Sequence, residues 1–359
     1  MSRRLPSLTV TATLIGGTAL ADVPNVAVDI APVHSLVARV MQGVGEPSLI
    51  VQPGASPHEY SLRPSEARAL QEADLVFMMG EDLTPWMEDA VETLAVSAAV
   101  TTFLEADGTT LLDFREGALF EAHDHDEHEK HDEHGHDEHD GDEDHRDDEH
   151  GEEEHAEHDD HHDHEEHGDE DHADHDDHGD EENADHDDHG DHDPHAWLSP
   201  QNASTWLNVI AAQLSAADPD NAGAYFANAA AARVDMEALA DEVNAILDPV
   251  RGGSFIVFHD AYQYFESDFD LPASGAISLG DATDPSPARI AEIQERIRHE
   301  GVGCVLAEPQ FNPGIVKTVL DGTEANTGVI DPLGAVLEPG AELYPQLIRN
   351  MAQTLADCL

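Results

Sequence analysis

Histidine and carboxylate dominate the chemistry that this sequence can do. Of its 26 histidines, 21 lie between Glu121 and Asp193, among 39 acidic residues and only two basic ones, Lys130 and Arg146. Imidazole is mostly neutral near pH 7, so its ring nitrogens can bind a metal ion, and carboxylates add oxygen ligands. Clusters recur at short, irregular spacings: His123, His125, His128, His131, His134 and His136; then His161, His162 and His164; then His175 and His178. Such spacing suits many weak, interchangeable sites for Zn²⁺-like ions. A purely solubilising acidic linker would need none of these histidines. No apolar period of 2 or 3.6 runs through the tract, so it cannot bury a face and is predicted to be disordered.

Five histidines lie elsewhere: His34, His58, His195, His259 and His299. His58 sits in the loop Gln52-Pro53-Gly54-Ala55-Ser56-Pro57-His58-Glu59-Tyr60, and His195 in Asp193-Pro194-His195 where order resumes after the tract. His259 directly follows the apolar run Ser-Phe-Ile-Val-Phe, and Asp331 directly follows Gly-Val-Ile. Three imidazoles and one carboxylate make a tetrahedral Zn²⁺ set, provided the fold brings them together. Each also has a plainer reading. A lone histidine after a strand is commonly a hydrogen-bonded structural residue, which is how His34 reads. His299 reads as exposed on a helix, and Asp331 before Pro332 as a turn residue.

The elements that must position these groups alternate between strand and helix. Strands are predicted at Asn25–Ile30, Pro47–Val51, Asp74–Met79 and Val100–Phe103, with helices at Val33–Gln42, Pro64–Glu72 and Pro85–Leu94. After the tract, Ser199 caps a helix opened by Pro200 and running to about Ala216. A longer helical stretch follows over Pro219–Leu247, roughly 43 Å at the α-helical rise, and reads as a connector. Strands at Ser254–Phe258, Ala273–Leu279, Gly303–Ala307 and Thr327–Ile330 then alternate with helices at Ala261–Phe269, Pro287–Glu300, Pro313–Leu320 and Ala341–Ala356. Such alternation means crossover connections, hence an α/β fold: two lobes, each a parallel sheet flanked by helices, joined by one long helix. Ligands of parallel sheets bind beyond the carboxyl ends of the strands, so His58, His195, His259 and Asp331 belong to the cleft between lobes.

Charge and chain ends set the surroundings. The formal net charge is −63, and the tract accounts for −37 of it (2 basic less 39 acidic), leaving −26 elsewhere. Nucleic acid, which needs basic patches, is excluded as a partner. Arg3 and Arg4 precede a mostly apolar run closed by Ala19-Leu20-Ala21, the pattern of a cleaved secretory signal. A soluble, monomeric periplasmic protein is the expectation. The organisation is then a signal peptide (1–21), a first α/β lobe (22–122), the His/Asp/Glu tract (123–193), the rest of the first lobe (194–218), a linking helix (219–250) and a second α/β lobe (251–359). In an exported chain the two cysteines, Cys304 and Cys358, read most simply as one disulfide; a redox or metal-binding pair would lack its C-x-x-C spacing.

Four stretches also carry a family resemblance. Gly54-Ala55-Ser56-Pro57-His58-Glu59-Tyr60, Asp193-Pro194-His195-Ala196-Trp197, Phe258-His259-Asp260-Ala261-Tyr262 and Ala307-Glu308-Pro309-Gln310-Phe311 resemble the ZnuA-type zinc-binding proteins of bacterial ABC importers. The resemblance spans the chain after the signal peptide, including a His/Asp-rich insertion before the second ligand histidine. It implies two α/β lobes bridged by a long helix, zinc held between them, and delivery to a cognate ABC permease in the inner membrane. Carried over position by position, it makes His58, His195 and His259 ligands, and Cys304 and Cys358 the paired cysteines of zinc-type members. In manganese-type relatives the position of His259 is usually a carboxylate, so His259 favours zinc. Some zinc-type members carry Glu directly before the first ligand histidine, where this chain has Pro57. The fourth position therefore falls to Asp331, Glu59 or water.

Other classes fit less well. Three histidines and an open position on zinc would suit a hydrolase. However, the zincin motif H-E-x-x-H is missing, since the His-Glu pairs at 58, 128, 164 and 299 are followed at the fourth position by Leu62, Asp132, Gly168 and Gly303. No nucleophile elbow or phosphate loop appears. The same fold binding Mn²⁺ or Fe²⁺, or serving mainly as a zinc buffer, stays as the alternative.

Overall fold

Each half of the chain builds one parallel sheet. The computed structural model describes residues 23–115, 117, 120, 192–278, 280 and 285–359. The signal-peptide reading and the auxiliary histidines from His123 to His178 lie outside the described residues.

The first half contains β1 (Val26–Val28), α1 (Ala31–Val40), β2 (Ser48–Leu49), α2 (Pro64–Gln71), β3 (Leu75–Met78), α3 (Pro85–Leu94), β4 (Ala99–Thr102) and, after the tract, α4 (Pro200–Ala217). Its sheet has the order β2-β1-β3-β4, with Ala27 level with Ser48 and Val76, and Val76 level with Val100. Next comes α5 (Ala222–Leu247), followed by β5 (Phe255–His259), α6 (Gln263–Phe269), β6 (Ala276–Ser278), α7 (Pro287–Glu300), β7 (Cys304–Ala307), α8 (Pro313–Leu320), β8 (Asn326–Val329) and α9 (Leu343–Cys358). The second sheet repeats the first in order, β6-β5-β7-β8, again all parallel.

Local chemistry sets the helix starts. Proline occupies the first turn of α2, α3, α4, α7 and α8, where its missing N–H costs nothing and its fixed φ is already helical. Ser199, Ser286 and Asn312 cap α4, α7 and α8 by accepting the N–H of Asn202 (3.1 Å), Arg289 (3.2 Å) and Gly314 (2.9 Å). The long helix differs from its expected span. Pro219–Asn221 forms a 3₁₀ turn under the Asp218 side chain, which accepts from the Asn221 N–H and side-chain amide, so α5 begins at Ala222. Its 26 residues still run about 39 Å.

Strands of period 2 present different side chains to the two faces, and in β1, β3 and β5, inner strands of their sheets, both faces are buried, as parallel sheets require. Ala27, Val76 and Met78 pack outward against Leu70 of α2 and Met87 and Val91 of α3. Ile256, Phe258 and Val305 pack outward against Ile293 and Ile297 of α7 and Val316 and Val319 of α8. The opposite faces share one core. Val26, Val28 and Phe77 of the first sheet join Phe255, Val257 and Leu306 of the second through Trp206, Tyr225, Met236, Leu239 and Val243, with Tyr344, Leu347 and Met351 of α9. The connector α5 packs against α1 and α4 of one lobe and α9 of the other. Cys304 of β7 and Cys358 of α9 form a disulfide with Cα atoms 5.6 Å apart.

Candidate metal centre

Three histidines reach one small cavity from three separate supports. Its lining comprises Ser56, Pro57, His58, His195, Trp197, His259, Glu308, Gln310, Phe311, Pro332 and Leu333, and it has room for little more than one water-sized sphere.

His58 comes from the loop after β2. Gly54 turns the chain there at φ +83°, a region that side chains rarely enter. The Trp86 indole N–H, from α3, donates to the Pro57 carbonyl at 2.7 Å. Tyr60 lies against the Trp86 ring at 5.5 Å and donates to Glu66 of α2 at 2.9 Å. The His58 N–H donates to the Ser56 hydroxyl at 3.2 Å.

His195 comes from the segment that re-enters the first lobe after the tract. Asp193 Oδ1 accepts its backbone N–H at 3.0 Å and stands 2.7 Å from its Nδ1. The 3₁₀ turn Ala196–Leu198 follows, and Trp197 donates to the Pro332 carbonyl at 2.8 Å, tying this turn to the second lobe. His259 is the last residue of β5, level with Ser278 of β6, rather than the first residue beyond the strand. Glu308, just past β7, stands 2.7 Å from His259 Nδ1 and accepts the His259 backbone N–H at 3.3 Å. His195 and His259 are each only 5% exposed, whereas His58 is half-buried.

The ring centroids of His195 lie 5.7 Å from those of His58 and 5.3 Å from those of His259. Two imidazoles bound to one Zn²⁺ with ordinary Zn–N bonds and a tetrahedral angle have centroids about 5 Å apart, so the spacing of these two pairs is of the order that shared ligation needs. Among the described residues no group of three or more His, Cys, Asp or Glu is already drawn together closely enough to hold a metal ion.

Asp331, expected at the cleft, does not itself line the cavity, although its neighbours Pro332 and Leu333 do. Its Oδ1 accepts the N–H groups of Leu333 (3.1 Å) and Gly334 (2.9 Å), as a turn residue would. Its Oδ2 is buried with no hydrogen-bond partner among the described residues, an arrangement that normally costs free energy. Glu59 is exposed and does not line the cavity. Gln310 does line it, and its Oε1 is likewise buried and unpartnered. His34 is buried on α1 with Nε2 3.1 Å from the Pro47 carbonyl, and His299 is exposed on α7, 3.7 Å from Glu295.

Burial dominates the electrostatics. It pushes the Asp193 carboxyl up to about 7, against the opposing pull of the His195 N–H and of Arg115. Burial likewise raises Asp260 to about 6, although Arg115 donates to it. Tyr262, buried beside Glu308 and Asp331, has its hydroxyl held well above the usual range by burial first and those carboxylates second.

Sequence reasoning did not assign roles to Asp193 and Glu308. The first had a local signal, Asp two residues before His with a proline between. The second had only its place in a stretch that carries the family resemblance, because Glu308 meets His259 across 49 residues.

The chain matches the family described as "ZnuA: Zinc-uptake complex component A periplasmic" over residues 26–358. It belongs to that family. It is 48% identical over 335 residues to the "High-affinity zinc uptake system protein ZnuA" of Brucella abortus (strain 2308), covering 93% of this chain and 91% of that protein. It is 45% identical over 358 residues to the protein of the same name from Paracoccus denitrificans (strain Pd 1222), covering 99% and 98%. A solved structure titled "Crystal structure of ZnuA" shares the fold with a TM-score of 0.66 at 20% identity, covering 94% of this chain and 99% of that one. No helix among the described residues is long and apolar enough to cross a membrane, as fits a family described as periplasmic.

Proposed function

We propose that this protein captures Zn²⁺ in the periplasm, as a monomer exported by residues 1–21, and delivers it to the membrane permease of an ABC uptake system. It is a binding protein and not an enzyme, and zinc is its cargo. The observation that carries the reading is the cavity ringed by His58, His195 and His259, two of them with a carboxylate on Nδ1. A carboxylate on Nδ1 fixes the tautomer and the ring plane, makes Nε2 the ligating nitrogen and raises its basicity. The names of the Brucella and Paracoccus relatives support zinc as the ion.

In this reading Asp331 supplies the fourth ligand through Oδ2, whose buried, unpartnered state a cation would relieve. Water is the alternative in that position. Glu59, exposed and in contact with nothing among the described residues that suggests a cation, is the weaker choice. Asp331 is also outside the lining, but its neighbours Pro332 and Leu333 form part of it. The histidines of residues 123–193 form auxiliary weak sites in this reading.

Calorimetric zinc titration of the full chain and of a chain lacking residues 121–192 tests this. One tight site should survive the deletion and several weak ones should vanish. Loss of the tight site on deletion would place the high-affinity centre in the tract and overturn the assignment.

A further inference from the structure

The stem from which the acidic tract departs is built onto the second lobe. Across it, the Asp193 N–H donates to the Leu112 carbonyl at 2.8 Å, and Asp113 pairs with His192 as an isolated antiparallel bridge. Two further backbone groups of this stem are bonded from α6. The Tyr264 hydroxyl accepts the Leu112 N–H at 3.0 Å and donates to the Asp193 carbonyl at 2.7 Å. Close by, Arg115 donates to Asp260 and to Glu266, at 2.7 Å for its shortest contact with the latter, and the Phe120 ring covers its guanidinium at 3.7 Å.

Arg115 is an anchor, since its hydrogen bonds go to Asp260 and Glu266 and it acts on Asp193 only through charge. Tyr264 differs. It is buried, both hydrogen-bonding capacities of its hydroxyl are used, and one of them holds the residue whose carboxylate orients His195. With its backbone carbonyl, its N–H and its Oδ1 engaged, and only Oδ2 without a partner among the described residues, Asp193 has little freedom left to swing.

We propose that Tyr264 is a positioning residue for His195: by fixing Asp193 it lets the second lobe decide where a first-lobe ligand stands relative to His259. The inference rests on the zinc reading above. Without the hydroxyl, His195 would spread over more orientations and metal binding would carry a larger ordering cost.

Tyr264→Phe and Arg115→Met, each in the full chain, separate positioning from anchoring. Tyr264→Phe should weaken tight zinc binding about fivefold, the worth of one hydrogen bond, as read by chelator competition. It should also change the visible absorption of the Co²⁺-loaded protein, which reports ligand geometry. Arg115→Met strands two buried carboxylates, so it should lower the zinc-free melting temperature more, yet weaken zinc binding less. A purely structural Tyr264 would rank the two variants in the same order by both measures. A Tyr264→Phe chain with parent affinity and Co²⁺ spectrum overturns the proposal. If that variant fails to fold, hydrogen exchange on the zinc-free parent decides. Amides of Asp193 and His195 protected like those of α6 support the proposal, and freely exchanging ones overturn it. A parent without any tight zinc site sinks the functional reading instead.

Discussion

Glu308 does for His259 what Asp193 does for His195: each carboxylate stands 2.7 Å from the histidine's Nδ1 and also accepts that residue's backbone N–H. One carboxylate is local to its histidine and the other arrives from a neighbouring strand. Both fix a ring in two ways at once, which leaves little rotamer freedom to lose when an ion arrives. His58, half-buried and on a loop, is held instead through Pro57 and Ser56.

Replacing such a carboxylate by an amide keeps its shape but removes its charge. Glu308→Gln should weaken zinc binding about 10- to 100-fold, the usual range for partners of metal-bound histidines. Asp193→Asn should fall in the same range. Chelator competition at pH 7.5 measures both. Parent-like affinity in both variants would show that the carboxylates merely fill space.

Most of the scaffold was legible because its signals are local. Pro64, Pro85, Pro200, Pro287 and Pro313 mark helix starts by their own covalent geometry. The run Ser254–Phe258 reads as a strand from its length and its aromatic and β-branched residues, shifted one residue from the observed Phe255–His259. The start of α5 was misplaced because Asp218 offers its carboxylate to Asn221 and holds a 3₁₀ turn that composition does not announce. At the candidate site the histidines could be picked out by their rarity outside the tract. Glu308, Tyr264 and Arg115 could not, since their partners stand 49, 71 and 145 residues away and only the folded topology brings them together.

Acid should stabilise the zinc-free fold over part of its range. Asp29 lies fully buried at the end of β1, accepting the N–H groups of Ile30 (2.7 Å) and Met79 (2.6 Å), and burial raises its carboxyl to about 7. Its ordinary value is near 3.8, so between roughly pH 4 and 7 the folded state binds more protons than the unfolded one. Stability from this group is therefore complete below about pH 4 and is lost as pH rises toward 7. Asp29→Asn, neutral throughout, should flatten the fall in melting temperature between pH 5 and 7. An unchanged slope would mean that Asp29 does not titrate in that window.

The disulfide closes a loop of 54 residues and joins β7 to α9 inside the shared core. In the chain-entropy model it contributes about 4 kcal/mol by restricting the unfolded chain. Paired Cys304→Ser and Cys358→Ser should lower the denaturation midpoint accordingly while zinc affinity stays within about threefold, because neither cysteine lines the cavity. A selective loss of zinc binding without loss of stability would contradict this.

The fourth ligand is decided by comparing Asp331→Ala with the histidine variants. Removing the imidazole of His58, His195 or His259 deletes one strong metal bond and admits water, so each alanine variant should weaken tight binding by at least about 10- to 100-fold. Asp331 is less simple, since its Oδ1 also holds the Leu333 and Gly334 amides and its removal loosens the turn beside Pro332. Asp331→Asn separates the two roles: it keeps an acceptor for those amides and replaces the charged oxygen with a donor that cannot ligate. If Oδ2 closes a tetrahedron, both variants should approach the histidine losses and relax discrimination against Co²⁺ and Ni²⁺, which accept extra waters. If water completes the site, Asp331→Asn should bind zinc within about threefold of the parent, and only Asp331→Ala should show a stability defect. That outcome would remove Asp331 from the ligand set and leave the three histidines standing.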